Sequence, residues 1–273
     1  MQFPVVTNEL AQQIAQSEID YMVSMLMSMQ KQPGNPFGVE IRHFGSTTGF
    51  LTREIEMGSA FNRVMGLGPQ DEELIDDILH FCRKCSDAFR IEISPHQVNS
   101  TLLARLTNSG LYQSGFGQVL YGRPQFKMPS PPTNITIRKI DRDELDDFVD
   151  VYTQGFGQDF GSEEVERLVR MSAKALHRVS GWHFYLAFVD NIPGGMGILY
   201  IQDDIASLVA AATIPSMRGK GCQTAVLHRR IADAAEAGCR LVVAQTGVNT
   251  VSQHNMERVG LRIAYTKAIW QPV

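Results

Sequence analysis

Residues 207–227 read SLVAAATIPSMRGKGCQTAVL, and this stretch decides the fold. Its first part is a run of small and β-branched apolar residues, which predicts a buried strand that ends at Pro215. A turn with two glycines and two cations follows, and a helical pattern begins directly after it. The first N–H groups of a helix have no partner inside the helix and carry the positive end of its dipole. This order therefore predicts a site for an anion such as a pyrophosphate.

The composition of the turn supports an anion site but argues against two common kinds of phosphate-binding loop. Gly219 and Gly221 let the backbone close around an anion, and Arg218 and Lys220 add positive charge beside it. The stretch contains neither G-x-x-x-x-G-K-[ST] nor G-x-G-x-x-G, so nucleotide hydrolysis and nicotinamide binding both lose support.

The turn resembles the acetyl-coenzyme-A loop of the GNAT superfamily of N-acyltransferases, whose pattern is [QR]-x-x-G-x-[GA]. Arg218, Gly221 and Gln223 occupy the marked positions, although Gln223 replaces the small residue of the pattern. The resemblance covers roughly residues 134–270 and implies that acetyl-coenzyme A is bound here as acyl donor. The loop residues that it assigns to the cofactor are Arg218, Gly219, Lys220, Gly221, Cys222, Gln223 and Thr224.

The same resemblance gives the preceding strand a role. In this family two parallel strands separate beside the cofactor, and the pantetheine arm pairs with strand backbone like an additional strand. Ala211, Ala212 and Thr213 would form that strand here. Their small side chains would let the thioester approach, and a backbone N–H could polarise its carbonyl. The low β propensity of alanine favours this interpretation over an ordinary buried strand.

Residues 249–261 resemble a later motif of the family, in which an asparagine and helix side chains contact the pantetheine. The resemblance assigns Asn249, Ser252 and Asn255 to the cofactor. Many members place a tyrosine general acid four residues before the glycine of this motif. Met256 stands at that position here, and methionine cannot donate a proton.

The acid and the base of the reaction therefore need other candidates. Tyr265 on the following strand has a suitable phenol and is the candidate catalytic acid, although packing within the strand is the favoured interpretation of this residue. Candidate bases are Asp159, Glu163, Glu164, His183 and Asp203. A water relay would need no dedicated base. Cys222 at the helix start could act as a nucleophile, but a small apolar packing role is the favoured interpretation.

The remaining sequence alternates helical and strand patterns, which predicts an α/β chain with mixed sheets flanked by helices. Helices are predicted at about 8–30, 71–86, 99–108, 143–155, 162–178, 222–238 and 250–258. Strands are predicted at about 38–44, 50–57, 60–67, 89–93, 135–140, 182–189, 195–201, 205–213, 241–246 and 261–270. Residues 123–133 contain four prolines without periodicity, and we expect a linker there.

An internal repeat with an offset of 150 residues relates the two halves of the chain. Residues 89–93 match 239–243, and Asn99 followed by Gly110 and Leu111 matches Asn249 followed by Gly260 and Leu261. We expect two GNAT-like domains, each a twisted mixed β-sheet flanked by helices. The predicted boundaries are 1–127 for the first domain, 128–133 for the linker and 134–273 for the second.

The repeat predicts that the first copy has lost the cofactor. Residues 68–74 read GPQDEEL and correspond to the cationic turn, yet they contain three carboxylates and no cation. Pro69 also cannot offer an N–H group. Like charges repel, so the first copy is expected to be a degenerate domain kept for packing, for pseudo-dimer formation or for shaping the substrate cleft.

Composition limits the partners. The chain of 273 residues has a net charge of −4, which gives no basic field for nucleic acid or an anionic membrane. Four cysteines form no disulfide or zinc pattern, so no metal is expected. No apolar run reaches membrane-spanning length and the N-terminus is unlike a signal peptide, so a cytoplasmic location is expected. The internal pseudo-dimer is compatible with a monomer or a homodimer.

The sequence thus predicts an N-acyltransferase that moves an acetyl group from acetyl-coenzyme A to a primary amine of a small molecule or peptide by direct attack. Two alternatives stay open. One is a coenzyme-A-binding regulatory or scaffold protein without transferase activity, which Met256 favours. The other is a protein–protein interaction module built on the first copy.

Overall fold

The structure is a computed structural model and describes residues 3–54, 61–84, 88–127, 129–157 and 163–273, apart from the side chain of Glu164. Its contacts divide the chain into two compact units that interleave along the sequence. The first unit contains Pro4–Val119, Thr246–Val248 and Ile263–Val273, and the second contains Leu120–Gln245 and Asn249–Arg262 together with the N-terminal residues.

The first unit is a mixed sheet with helices. Its strands follow the order β1-β2-β3-β4-β11-β5. They are β1 (Val39–Phe44), β2 (Thr47–Thr52), β3 (Arg63–Met65), β4 (Arg90–Ile93), β5 (Leu111–Gly122) and β11 (Arg262–Pro272), of which β5 and β11 each extend by one end into the second unit. The helices are α1 (Asn8–Gln30), α2 (Ile75–Cys82) and α3 (Ser100–Asn108). Apolar residues of α2 and α3 pack with those of β2, β3 and β4 in one core.

The strands of the second unit follow the order β10-β9-β8-β7-β6 and include both parallel and antiparallel pairs. Its strands are β6 (Ile135–Lys139), β7 (Trp182–Val189), β8 (Ile192–Gln202), β9 (Ile205–Thr213) and β10 (Leu241–Gly247). Its helices are α4 (Leu145–Phe156), α5 (Glu163–Leu176), α6 (Cys222–Glu236) and α7 (Val251–Arg258). In the described part of the chain, no helix combines the length and apolar character needed to cross a bilayer.

Successive side chains of a strand point to opposite faces of the sheet, and in the second unit the two faces contact different helices. Tyr185 of β7 packs in a core with Leu227 and Ile231 of α6. The preceding residue, Phe184, points to the opposite face, where its ring lies edge-on to Phe148 of α4 at 5.1 Å between centroids. The sheet is therefore covered by α6 and α7 on one side and by α4 on the other.

Most predicted elements lie within a few residues of those in the structure, and the helix expected at 8–30 has the predicted bounds. The helix expected at 71–86 begins instead with a 3₁₀ segment over Pro69–Leu74, and its residues 85–86 lie outside the described ranges. The sequence reading missed β5, which contains three glycines and directly precedes the proline-rich segment. Glycine weakens the strand pattern, so this strand depends on contacts distant in sequence.

The two units share a topology that supports the repeat. In the first unit β2 is antiparallel to β3, and β3 is parallel to β4. In the second unit β8 is antiparallel to β9, and β9 is parallel to β10. Gly110 and Gly260, which are 150 residues apart, both have positive φ after a helix, at 80° and 96°. A glycine in this conformation commonly ends a helix.

The last strand of the chain belongs to the first unit. There β11 pairs antiparallel with β4, with Trp270 opposite Ile91 and Ala268 opposite Ile93. A division at a single linker would place β11 with the second unit instead. The boundaries 1–127, 128–133 and 134–273 therefore stay a prediction about domains, because the units defined by contacts cross them.

A buried cluster of charges lies beside the ends of β3 and β4 in the first unit. The Lys267 ammonium donates to both carboxylate oxygens of Glu18, at 2.7 and 2.8 Å, and to Glu92. Arg63 and Arg90 also contact Glu92, at 3.4 and 2.7 Å. Burial alone would lower the pKa of Lys267, but the two carboxylates raise it. Burial would likewise raise the pKa of Glu92, and its three cationic neighbours hold it well below its usual range.

We predict that Lys267→Met lowers the free energy of unfolding by about 3–5 kcal/mol, since it leaves two buried carboxylates without their main counter-ion. Urea titration followed by circular dichroism measures the change. Arg105→Met is the control, because its ion pair with Asp76 is exposed and should contribute less than about 1 kcal/mol. Equal losses in the two variants would contradict a special role for the buried cluster.

Candidate functional site

A cleft of about 650 Å³ opens in the second unit where β9, α4, α6 and α7 meet. Most of its lining comes from the end of β9 and the turn into α6. The lining residues are Gly155, Phe156, Ala211, Ala212, Thr213, Met217, Arg218, Gly219, Gly221, Cys222, Gln223, Thr224, Val251, Ser252 and Asn255.

The cleft begins where two parallel strands separate. β9 and β10 pair over four residues each, and the last pair is Leu208 with Ala244. β9 then continues to Thr213 and β10 to Gly247 without further pairing of one to the other within these described strands. β8 still pairs with β9 as far as Thr213. Because strand N–H and C=O groups point alternately to the two sides, the edge of β9 that β10 leaves presents backbone groups to the gap.

The turn from β9 into α6 has the conformation that an anion site needs. Gly219 and Gly221 have φ values of 77° and 97°, which residues with a Cβ rarely adopt. Gly221 is the N-cap residue of α6, and among the described residues no side chain caps this helix end. The first N–H groups of α6 are therefore available to a ligand at the mouth of the cleft.

Two exposed cations flank this helix start. The Arg218 guanidinium donates to the carbonyl oxygens of Thr213 at 3.4 Å and Gly155 at 3.3 Å. The Lys220 ammonium lies 3.3 Å from the sulfur of Met217. Lys220 does not line the cleft, whereas Arg218 does. Neither side chain forms an ion pair with a described carboxylate, so their charge remains available to an anionic ligand.

Helix α7 closes the other side of the cleft. Ser252 and Asn255 line it together with Val251, and their contact with a cofactor stays a prediction. The Asn255 amide donates to Gln223 of α6 and accepts from Arg258 at 2.7 Å. Gln223, the residue that departs from the loop pattern, thus links the start of α6 to the middle of α7.

Asn249 lies outside the cleft lining. Its φ is 57°, its backbone N–H donates to Gln253 at 2.6 Å, and its side-chain oxygen lies 3.1 Å from a ring nitrogen of His254. Thr250, not Asn249, caps α7. Asn249 therefore shapes the turn before the helix, and a direct contact with a cofactor stays a prediction.

The position to which the family resemblance assigns an acid is buried in the core and does not line the cleft. Met256 is 5 % exposed and packs in the core with Leu227 and Val259. Tyr265, the candidate acid, does not line the cleft either and lies in the first unit. Its ring contacts His96 edge-on at 5.7 Å, and burial raises the pKa of its phenol. The structure does not bring Tyr265 together with the cleft residues.

The candidate bases are also apart from the cleft lining in the described residues. His183 lies on β7, where burial and then Lys139 lower its pKa while Asp233 raises it. Glu163 is exposed at the start of α5, and Asp203 lies in the β8–β9 turn with φ of 53°. Asp159 and the side chain of Glu164 fall outside the described part of the chain.

Cys222 lines the cleft but is 1 % exposed. Burial raises the pKa of its thiol, against a smaller lowering by its own backbone N–H and by Lys220. A Cβ on Gly195 of β8 would lie 3.0 Å from the Cys222 Cβ, so the thiol sits tightly against the sheet. This environment favours packing over nucleophilic catalysis.

We predict that iodoacetamide alkylates Cys222 roughly tenfold or more slowly at pH 8 than it alkylates the urea-unfolded chain. Peptide mapping by mass spectrometry separates Cys222 from the other cysteines, and Cys222→Ala confirms the assignment. Fast alkylation of the folded protein at pH 7 would instead indicate an activated thiolate.

In the first unit, the region that corresponds to the cleft is filled by the protein's own polar side chains. Asp71, in the segment that matches the cationic turn, is 4 % exposed and accepts from the Ser46 N–H at 3.1 Å and from the Thr47 hydroxyl at 2.8 Å. Beside the ends of β3 and β4, Lys267 and its carboxylates leave a cavity of only about 10 Å³. These contacts support the prediction that the first copy does not bind the cofactor.

Several cleft residues were missed in the sequence. Gly155 and Phe156 end α4, and Met217 lies in the turn before α6. A Cβ on Gly155 would lie 2.6 Å from the Cβ of Ala212, so only glycine allows this close approach of α4 to β9. A glycine at the end of a predicted helix usually indicates a cap, and nothing local distinguishes it from a contact with a distant strand.

The comparisons with known proteins agree with this geometry. A model of the acetyltransferase (GNAT) family matches residues 145–261, which include the cleft. The structure resembles a GCN5-related N-acetyltransferase from Kribbella flavida, with a TM-score of 0.66 and 16 % identity over 96 % of this chain and 95 % of that chain.

Two further solved structures share the fold over nearly the whole chain. A tandem GNAT protein from the clavulanic acid biosynthesis pathway has a TM-score of 0.61 and 11 % identity, over 99 % of this chain and 97 % of that one. A GCN5-related N-acetyltransferase from Sphaerobacter thermophilus has a TM-score of 0.59 and 12 % identity, over 98 % and 93 %. The search of curated proteins gave no match. Residues 145–261 thus match the acetyltransferase (GNAT) family, and the chain shares its fold with solved GNAT proteins.

Proposed function

We propose that the cleft binds acetyl-coenzyme A and that the protein transfers the acetyl group to a primary amine of a small molecule or peptide. The observation that carries the proposal is the gap after Leu208 and Ala244, which ends at the uncapped start of α6. A pantetheine arm can pair with the open edge of β9, and a pyrophosphate can accept from the first N–H groups of α6.

The charges of the cleft agree with a cofactor whose phosphates lie at the start of α6 and whose pantetheine arm lies along β9. Arg218 and Lys220 lie at the helix start, where the phosphates would bind, and Ala211 to Thr213 lie deeper along β9. The side-chain oxygen of Thr213 is buried without a hydrogen-bond partner among the described residues. A buried polar atom of this kind gains from a ligand that offers a donor or an acceptor.

Acyl transfer would proceed by direct attack of the amine on the thioester. The amine loses a proton to solvent and its nitrogen forms a bond to the carbonyl carbon. The carbon–sulfur bond breaks, and coenzyme A leaves as its thiolate, which takes a proton from solvent. A β9 N–H can stabilise the oxyanion that develops on the carbonyl oxygen. Arg218 and Cys222 are the ionisable residues of the described lining, so solvent is proposed to accept the amine proton.

We predict that Arg218→Ala weakens the binding of acetyl-coenzyme A by about tenfold, or about 1.4 kcal/mol, through loss of one charge near the phosphates. Gly221→Val should weaken binding at least as much, because the φ of 97° costs a side-chain residue about 1–2 kcal/mol. Isothermal titration calorimetry measures both.

Arg240→Ala is the matched control, because it removes the same charge from an exposed ion pair with Asp204 and should leave binding unchanged. A wild-type chain that binds no acetyl-coenzyme A, or variants that bind as well as wild type, would overturn the proposed cofactor site.

The second candidate is a coenzyme-A-binding regulatory or scaffold protein without transferase activity. The position of Met256 in the core favours it, since no acid replaces the usual tyrosine among the described residues of the cleft. This candidate and the first share the cofactor and differ in turnover.

Thiol release across a panel of primary amines separates the two candidates. With acetyl-coenzyme A as donor, we expect turnover with at least one small-molecule or peptide amine, detected with a thiol reagent and confirmed by mass spectrometry of the product. Gly221→Val, which is predicted to bind the cofactor at least about tenfold more weakly, is compared at an acetyl-coenzyme A concentration below the dissociation constant of the variant and controls for background hydrolysis. Tight cofactor binding without turnover on any amine would favour the regulatory protein.

The remaining expectations are part of the same proposal. We propose a cytoplasmic location, a monomer or homodimer, no nucleic-acid partner and no resident metal. Among the described residues, no group of three or more histidine, cysteine, aspartate or glutamate side chains is placed to hold a metal ion. Direct attack of the amine on the thioester needs no metal ion.

A further inference from the structure

Arg230 is the largest fully buried side chain in the described structure, and the proposed reaction does not use it. It lies on α6 below the sheet and is 1 % exposed. Burial lowers its pKa to about 10, against a smaller raising by Tyr185. The carboxylate of Asp233, three residues further along α6, accepts from the Tyr185 hydroxyl and from Arg229, each at 2.7 Å.

The guanidinium contacts backbone instead of a carboxylate. Its Nη1 donates to the carbonyl oxygens of Ile198 on β8 and Ala210 on β9, both at 2.9 Å. Its Nε lies 3.4 Å from the Val226 carbonyl oxygen on its own helix, and Nη2 is buried without a partner among the described residues. Because a buried cation without a counter-ion is costly, an apolar residue would suit a purely packing role better.

The two carbonyls mark an irregularity in the sheet. Ile198 pairs with Ala210, but the next residue of β8, Leu199, pairs with Leu208, so Val209 is an additional residue on β9. Such a β-bulge disrupts the local hydrogen-bond ladder and leaves carbonyls that need other donors. At this point Arg230 donates to one carbonyl oxygen on each of the two strands.

The bulge coincides with the separation of the strands. Leu208 is the last residue of β9 that pairs with β10, and the bulge follows directly. Removing the bulge would shift the residues beyond it by one position and turn each to the opposite face of the sheet. The bulge therefore decides which backbone groups of Ala211 to Thr213 face the cleft.

Gly197 makes room for the guanidinium. A Cβ at this position on β8 would lie 3.0 Å from Nε of Arg230 and 2.4 Å from a methyl carbon of Val226. Both distances are shorter than ordinary carbon contacts. The glycine and the arginine thus form one arrangement, in which α6 approaches the sheet closely enough for its side chain to reach both carbonyls.

We propose that Arg230 is a positioning residue for acyl transfer: it holds the β9 bulge and so fixes the backbone that binds the pantetheine and thioester. The inference rests on the proposed function, but it concerns a residue that touches neither cofactor nor amine. Its effect should therefore be specific to the part of the cofactor that lies along β9.

The test compares Arg230→Met with Arg229→Met, which removes the same charge from an exposed neighbour on α6. Acetyl-coenzyme A and adenosine 3′,5′-bisphosphate, which lacks the pantetheine arm, are titrated by calorimetry. We expect Arg230→Met to bind acetyl-coenzyme A about tenfold more weakly and the bisphosphate within about twofold of wild type. Arg229→Met should change neither affinity. An unchanged ratio of the two affinities in Arg230→Met would overturn the proposal.

Native-state hydrogen exchange tests the bulge without a ligand. In Arg230→Met we expect the amides of residues 209–213 to exchange about tenfold faster, while those of β7 and the centre of α6 keep their protection. If wild type binds no acetyl-coenzyme A, the proposed function fails, and the exchange data still decide whether Arg230 holds the bulge.

Gly197→Ala provides a variant that keeps the cation but fills its space, and it should show the same selective loss of affinity and protection. Wild-type behaviour of Gly197→Ala would count against the proposal. Uniformly faster exchange over β7 to β9, or failure of both variants to fold, would assign Arg230 a general structural role and overturn it.

Discussion

The separation of β9 from β10 after Leu208 and Ala244 is the constraint on which the second unit depends. Strand backbone groups that lose their partner must find water, side chains or a ligand. The protein keeps one edge of β9 open and surrounds it with the end of α4 and the starts of α6 and α7. Small residues, Gly155 and Ala212 among them, let these elements approach without filling the gap. The cleft is the space that the missing strand pairing creates.

The first unit meets the same constraint in the opposite way. Its parallel strands β3 and β4 are paired at Arg63 and Val64, and the space beyond their ends is filled by Lys267 with Glu18 and Glu92. There the protein satisfies buried polar groups with its own charges, and Asp71 occupies the segment that matches the cationic turn. Because these contacts are internal, they contribute to folding and leave no room for a cofactor. One fold thus yields an open proposed site and a closed one.

The features that the sequence predicted are those with local causes. The turn at Arg218 to Gly221 and the helix that follows it are determined by glycine, proline and apolar periodicity over a few residues. The sequence could not show whether Asn249 or Thr250 is the N-cap residue of α7, since both residue types cap helices well. The burial of Met256 and the pairing of β11 with β4 depend on contacts far apart in the chain. Tyr265 was proposed from proximity in sequence, and the structure places it in the other unit.

Because the described lining of the cleft contains few ionisable groups, the proposed catalysis depends more on the position of backbone groups. In an enzyme with a dedicated acid and base, proton transfer to or from a positioned side chain supplies part of the rate acceleration. With Arg218 and a buried thiol as the ionisable residues of the described lining, the proposed reaction depends on orientation of the thioester and on polarisation by β9 amides. Those amides are only as well placed as the bulge at Val209. A costly buried cation at that bulge is then consistent with a site in which backbone geometry takes the place of catalytic side chains.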